Sequence, residues 1–417
     1  MRLLPSVVEA CRRQFPALAR EIGGRPAVFF DGPAGTQVPS RVIDAIAGYL
    51  RHTNANHGGT FATSRESDAL LWETHAAAAD LLGTKDPATV SFGPNMTTLT
   101  FALSRALART WKAGDEIIVT QLDHDANYTP WVLAARDAGV RARVVPVRAD
   151  DCTLDLDFLD RHLGPRTRLV AVGCASNSVG TINPVREICE RARAVGALTF
   201  LDAVHFAPHA AIDVQALHCD FLVCSAYKFF GPHVGIQWGR KEILEELEAY
   251  KLRPAPDDLP GKWMTGTQSH ECILGVRAAV EYLADLGRTV RQDGTLSRRR
   301  ALVAAYQAIR DYETDLARQL LSGLRDMPHV RIRGIADLDR MHERVATVAV
   351  TLDARTSRDV ADHLGRHGIF VWHGNYYALN LGEALGVEPD GMVRIGLVHY
   401  NTSEEVDRLL RTLGELV

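Results

Sequence analysis

The sequence predicts an α/β protein: a mostly parallel sheet covered by helices, followed by a smaller C-terminal α/β unit. Between about residues 80 and 240, short apolar runs alternate with amphipathic helical patterns. The runs are continuously apolar rather than alternating, as in strands buried on both faces. After about residue 285 the pattern changes to a long charged helical stretch and an alternating strand, and 417 residues are too many for one small core.

Taken in order, the N-terminus MRLLPSVVEACRRQFP is interrupted by charge and proline before any long apolar stretch. It reads as neither a secretory signal nor a membrane span, so a cytoplasmic location is expected. Residues 1–25 are expected to form an N-terminal segment packing on the small domain, 26–285 the large domain and 286–417 the small one. The predicted strands of the large domain include Asp115–Thr120, Ala142–Val147, Arg168–Gly173, Leu198–Asp202 and Phe221–Ser225, with a helix over Pro184–Val195. Ligands in such sheets sit at the carboxyl ends of the strands. Gly/Pro-rich stretches at 31–36 and 254–261 read as loops. The small domain should contain a helical stretch over about 290–325, the strand Val345–Leu352 and a helix over Ser357–Arg366. Strands at Gly368–Trp372 and Met392–Val398 follow, and Thr402-Ser-Glu-Glu405 opens the last helix as a capping box.

Apolar and charged fractions of 46% and 24% are those of an ordinary globular chain. A formal charge of -4 gives no electrostatic case for a nucleic-acid or anionic-membrane partner. Seven cysteines, at 11, 152, 174, 189, 219, 224 and 272, stand singly with no CxxC pair. They read as buried free thiols, and neither a disulfide framework nor a metal site is indicated.

The chemistry begins with Lys228, one of only six lysines, in Phe221-Leu-Val-Cys-Ser-Ala-Tyr-Lys-Phe-Phe-Gly-Pro232. Burial disfavours the ammonium form, as an imine-forming amine requires. Taken alone, the segment also suits a lysine snorkelling from a strand end. Asp202 tips the balance: it closes the apolar run Leu198–Asp202, and a buried acid at a strand end needs a partner. The protonated pyridine nitrogen of pyridoxal 5'-phosphate (PLP) is such a partner, and the pairing keeps the ring an electron sink. Ser91-Phe-Gly-Pro-Asn-Met-Thr-Thr98 leads into a helical run at Leu99–Arg109 and offers N–H groups and hydroxyls to a phosphate, although an ordinary helix cap reads the same way. Leu122-Asp-His124 follows the strand at 115–120, which puts an imidazole where it could stack on a flat ring.

On these residues, and on Asp202-Ala-Val-His205, Asp213-Val-Gln-Ala-Leu-His-Cys-Asp-Phe221, Ser225-Ala-Tyr-Lys228, Gly266-Thr267 and Arg394…His399-Tyr-Asn-Thr402, the chain resembles the fold-type I, class V PLP enzymes. The resemblance is to the cysteine desulfurase and selenocysteine lyase group in particular, and runs from Phe29-Phe-Asp-Gly-Pro-Ala to Tyr400-Asn-Thr-Ser-Glu-Glu-Val-Asp. It implies that Lys228 is the Schiff-base lysine, Asp202 the pyridinium partner and His124 the ring-stacking histidine. His205 stands where the family commonly has a glutamine at the ring's phenolic oxygen. Asn95, Met96 (through its backbone) and Thr97 match the phosphate loop. Ser225 and Tyr227 match further phosphate positions, Tyr227 in place of a histidine. Asn177 resembles the asparagine near the substrate, Thr267 a residue reaching the neighbouring subunit's phosphate, and Arg394 the clamp for a substrate carboxylate. Two positions depart from the pattern: Tyr377 replaces the nucleophilic cysteine of desulfurases, and Trp372 replaces an arginine of some relatives.

The resemblance thus implies a PLP-binding large domain, a homodimer with sites near the interface, and a small amino-acid substrate. The leading expectation is a lyase that cleaves a C–S or similar bond by elimination, with Lys228 as general acid/base and Tyr377 touching substrate. Epimerisation, cyclisation or transamination would use the same carbanion, and a non-catalytic PLP-binding regulator is the reading from another class. With Tyr377 in the cysteine's place, no persulfide on the chain's own cysteine is expected.

Overall fold

The computed structural model describes residues 3–416, so the first two residues of the expected N-terminal segment and Val417 lie outside it. Seven strands build the larger sheet: β1 (Val90–Gly93), β2 (Glu116–Thr120), β3 (Arg141–Val145), β4 (Thr167–Gly173), β5 (Leu198–Asp202), β6 (Phe221–Ser225) and β7 (Gly235–Gly239). Their order is β1-β7-β6-β5-β4-β2-β3. Only β7 runs against the rest. Alternation along each strand feeds two cores. Leu222 and Cys224 of β6 face one, with Ile118 and Val170, while Phe221 and Val223 face the other, with Ile117 and Leu169. Each such side chain contributes about 1.5–3 kcal/mol when fully buried, which is why the inner strands carry no polar face, whereas the edge strand β3 keeps Arg141 and Arg143. Strand β3 stops one residue before Pro146, which has no N–H to give the ladder.

The smaller sheet is antiparallel, with β8 (Val330–Arg333), β9 (Thr347–Leu352), β10 (Trp372–Gly374) and β11 (Met392–Gly396) in the order β8-β9-β11-β10. The predicted strand at Gly368–Trp372 is divided in two. Ile369–Phe370 pairs in parallel with Val28–Phe29, and only Trp372 goes on into the four-stranded sheet.

Helix α1 (Pro5–Arg12) buries Val8 and Cys11 in the larger unit's core, while Arg12 pairs with Glu405 at 2.8 Å. Helix α2 (Met96–Ala108) follows β1. The helical stretch expected over about 290–325 is one helix that begins only at Arg298, because a turn separates it from the helix before it. Helix α3 (His270–Arg291) ends at Gln292 in a left-handed conformation, and α4 (Arg298–Arg325) begins after the Asp293-Gly294 turn. The first half of α4 packs Leu302 and Ile309 in the larger core, and the second half packs Leu320 and Leu324 in the smaller. Helices α5 (Ser357–Arg366) and α6 (Ser403–Gly414) complete the small unit, and Thr402 and Glu405 form the predicted capping box. No described helix is long and apolar enough to cross a membrane. All seven cysteines are free, six of them buried.

Candidate active site

The carboxyl edge of the large sheet gathers most of the predicted residues around one cavity. Asn95, Met96 and Thr97 line one end, Ser225, Tyr227 and Lys228 the floor, and His124, Asn177, Asp202 and His205 the rest. The cavity opens into a cleft of about 480 Å³ that adds Trp372, Tyr377 and Arg394. Thr267 is apart from both, exposed on the loop before α3.

The ends of β1, β7 and β6 lie side by side, Gly93 opposite Gly235 and Gly235 opposite Ser225. A Cβ on Gly235 would come within 2.5 Å of the Asn95 carbonyl carbon, so glycine there lets β7 pass directly against the loop. Asn95 caps α2, its Oδ1 accepting from the Thr98 N–H at 2.8 Å, and the Met96 N–H donates to Ser225 Oγ at 3.2 Å. Main-chain donors, hydroxyls and a helix N-terminus thus converge as a phosphate requires.

Deeper in, Asp202 accepts the Val204 N–H at 2.8 Å. Burial pushes its carboxyl up to about 6, against the pull of that N–H and of Lys228. Lys228 is buried, donates to the Pro33 carbonyl and lies 4.7 Å over the Tyr227 ring. Burial brings its amine down to about 7, reinforced by the Arg394 charge and opposed by Asp202. About half of the amine is therefore uncharged at neutral pH, the direction its apolar flanks predict. His124 accepts the Ala126 N–H at Nδ1 (3.0 Å) and stacks on Tyr377, with ring centroids 5.4 Å apart and planes inclined 24°. Burial lowers its pKa to about 4, helped by the charges of Lys228 and Arg394, so the ring is neutral. His205 shares a hydrogen bond from Nε2 with Thr347 Oγ1 at 2.9 Å, and burial keeps it neutral too.

In the outer cleft Arg394 lies cross-strand from Trp372. Asn177 sits on a loop folded back between Ala175 and Ile182. That loop is joined to the small unit by the Ile182 N–H to Glu343 O and the Val345 N–H to Gly180 O, both 2.8 Å. Gly180, at φ +81°, stands where a Cβ would meet Thr347 O at 2.4 Å. Tyr376 and Tyr377 are consecutive left-handed residues (φ 56° and 61°), a conformation that costs roughly 1–2 kcal/mol per non-glycine residue. The Asn177 side chain donates to Tyr376 O at 2.9 Å and the Asp125 N–H to Tyr377 O at 2.7 Å, which holds the turn. The Tyr377 phenol is at the rim, 72% exposed.

Among the lining residues that the sequence reading did not single out, Asp123 and Tyr376 stand out. Asp123 is buried against the end of β4, its carboxyl group accepting from Thr120 Oγ1 (2.7 Å) and the Gly173 N–H (2.6 Å). Burial first, and Asp202 next to it, raise its pKa to about 7. Its place beside His124 at a strand's end was the available signal. Tyr376, whose ring carries the Arg394 guanidinium, gave none, because its role depends on a strand eighteen residues further on.

The model of the class-V aminotransferases matches residues 28–409. The chain belongs to that family. A cysteine desulfurase of Pectobacterium carotovorum is 31% identical over 98% of both chains. The structure of a cysteine desulfurase from Thermococcus onnurineus superposes with a TM-score of 0.87 at 25% identity, over 100% of this chain and 99% of that one. One from Escherichia coli gives 0.82 at 25% identity over 98% of each. This class V family member is a PLP-dependent enzyme, which removes the reading as a non-catalytic regulator. Its cavity fits the cofactor on its own evidence. His205 Nδ1 is buried with no partner among the described residues, as is Arg394 Nε in the cleft.

Proposed function

We propose that this enzyme is a lyase that eliminates a sulfur or similar leaving group from the β- or γ-carbon of a small amino acid. Bound in the cavity, PLP supplies an electron sink for charge that develops at the substrate's α-carbon. Asn95, the Met96 N–H, Thr97, Ser225 and Tyr227 would hold its phosphate, Asp202 its ring nitrogen, His205 the opposite edge and His124 its face. Asp202 serves as the anion at neutral pH, since its carboxyl titrates near 6. Arg394, with Asn177 beside it, binds the substrate carboxylate, and the geometry suits a planar fork. The Lys228 amine takes the α-proton, for which a base poised near 7 is well matched. Tyr377, at the rim, orients the substrate's side chain or protonates the leaving group.

The observation that carries elimination is the missing thiol. Among the described residues no cysteine lines the cavity or the cleft. Cys174, beside the Asn177 loop, is 1% exposed, and burial pushes its thiol far above the usual range. Persulfide transfer needs a reachable thiolate, whereas elimination needs only the base. A homodimer is part of the same reading, with Thr267 given to the neighbour's phosphate.

The test is a panel of amino acids bearing β- or γ-leaving groups. Release of a 2-oxo acid and the leaving group in equal amounts is expected. Racemisation, ring closure or amino transfer without that release would overturn the proposal.

A further inference from the structure

Away from the cleft, where α5 and α6 end together, three side chains form a cluster that the enzyme's chemistry does not use. His363 lies in the last turn of α5 and His367 caps it, four residues on. Residues at that spacing share a helix face, the arrangement by which paired histidines grip a metal. Glu415 caps the end of α6. One ligand atom from each of the three lies within 4.8 Å of the others.

The details favour a metal over a simple ion pair. His367 Nδ1 donates to the His363 carbonyl oxygen at 2.9 Å, which fixes the tautomer and leaves the Nε2 lone pair free. That is the orienting bond metal-bound histidines commonly make. His363 Nε2 is buried with no hydrogen-bond partner among the described residues. Glu415 Oε2 stands 3.7 Å from His363 Nε2 and 3.8 Å from His367 Nε2, too far for a hydrogen bond to either. Ligand atoms around a tetrahedral zinc ion, with bonds of about 2.0–2.2 Å, sit roughly 3.3 Å apart. The two carboxylate–imidazole distances thus need to contract by only about half an ångström around an ion between them. Both helices also point their electronegative carboxyl ends at the cluster. The nearby Arg408 is occupied by the carbonyls of Pro26 and His367.

We propose that His363, His367 and Glu415 form a site for a divalent transition-metal ion of zinc's class, with water as the remaining ligand. Imidazole and carboxylate ligands select such ions over magnesium or calcium. The site ties the end of α6 to α5, whose Leu364 and Val360 share a core with Leu409 and Leu413.

The tag-free holoenzyme, first treated with chelator and desalted, is titrated with zinc chloride by calorimetry and its melting temperature is followed. One equivalent should bind and raise the melting temperature. H367A and E415Q, both at exposed positions, should lose that binding and that shift while keeping the native enzyme's circular dichroism and turnover. Zinc binding of unchanged affinity and stoichiometry in both variants, or no binding by the native chain, would overturn the assignment.

Discussion

The Arg394 guanidinium lies 4.2 Å over the Tyr376 ring and donates from Nη1 to the Asn177 carbonyl at 2.8 Å. Burial lowers its pKa only to about 10, so it remains a cation at neutral pH, aimed with an unpartnered Nε. Arg394→Lys keeps charge but loses the fork and the stacking surface. A loss of about 2 kcal/mol, or roughly thirtyfold, is expected mainly in KM. Steady-state kinetics showing an unchanged KM would remove Arg394 from the carboxylate site.

Lys228 makes a prediction about pH. Its amine titrates near 7 in the folded chain against 10.5 in the reference state. Across that window the unfolded chain binds the extra proton, so stability rises with pH and is lost as pH falls through the folded value. In cofactor-free protein, denaturant unfolding should show the native chain gaining stability relative to Lys228→Met between about pH 7 and 10. A difference independent of pH would mean a solvated lysine. Lys228→Ala of the holoenzyme should lose turnover and the borohydride-trapped link at this residue, while PLP still binds through its phosphate.

Asp202→Asn keeps the shape and removes the charge. If the carboxylate supplies about 4 kcal/mol of stabilisation to the reacting state, turnover should fall roughly a thousandfold. PLP retention, read by absorbance, separates this from simple loss of cofactor. Unchanged turnover would make Asp202 structural.

Incubation with L-cysteine followed by intact-mass measurement should show no sulfur adduct on any of the seven cysteines. An adduct mapping to one cysteine whose serine variant is inactive would restore a desulfurase. Tyr377→Phe should slow turnover by about a hundredfold, as loss of a positioned acid does, without releasing PLP.

Light scattering of active enzyme should show a dimer, and Thr267→Ala should weaken PLP retention although this residue lines neither the cavity nor the cleft of its own chain. A fully active monomer would contradict the shared site.

Much of the fold was legible because the buried strands have no polar face. Leu198–Asp202 and Phe221–Ser225 match their sequence-derived limits residue for residue, as does the helix Ser357–Arg366. Local signals sufficed there. The division at Phe370 and Trp372 was not legible, since which sheet each joins depends on Val28 and Arg394, far away in sequence. The cavity followed the same rule. Lys228, Asp202 and His124 announce themselves at strand ends. Asp123 has a local partner in Thr120, but its bond from Gly173, fifty residues on, was not legible, and Tyr376 is explained by Arg394.

The loop that carries Asn177 leaves β4 of the large unit but is stitched to Glu343 and Val345 of the small one. In the proposed function, the grip on an acid thus depends on the small unit, whereas activation of an amine rests with the large one. A fragment ending before β9 would retain Lys228 and Asp202, yet it would lack both Arg394 and the edge against which Gly180 is pressed.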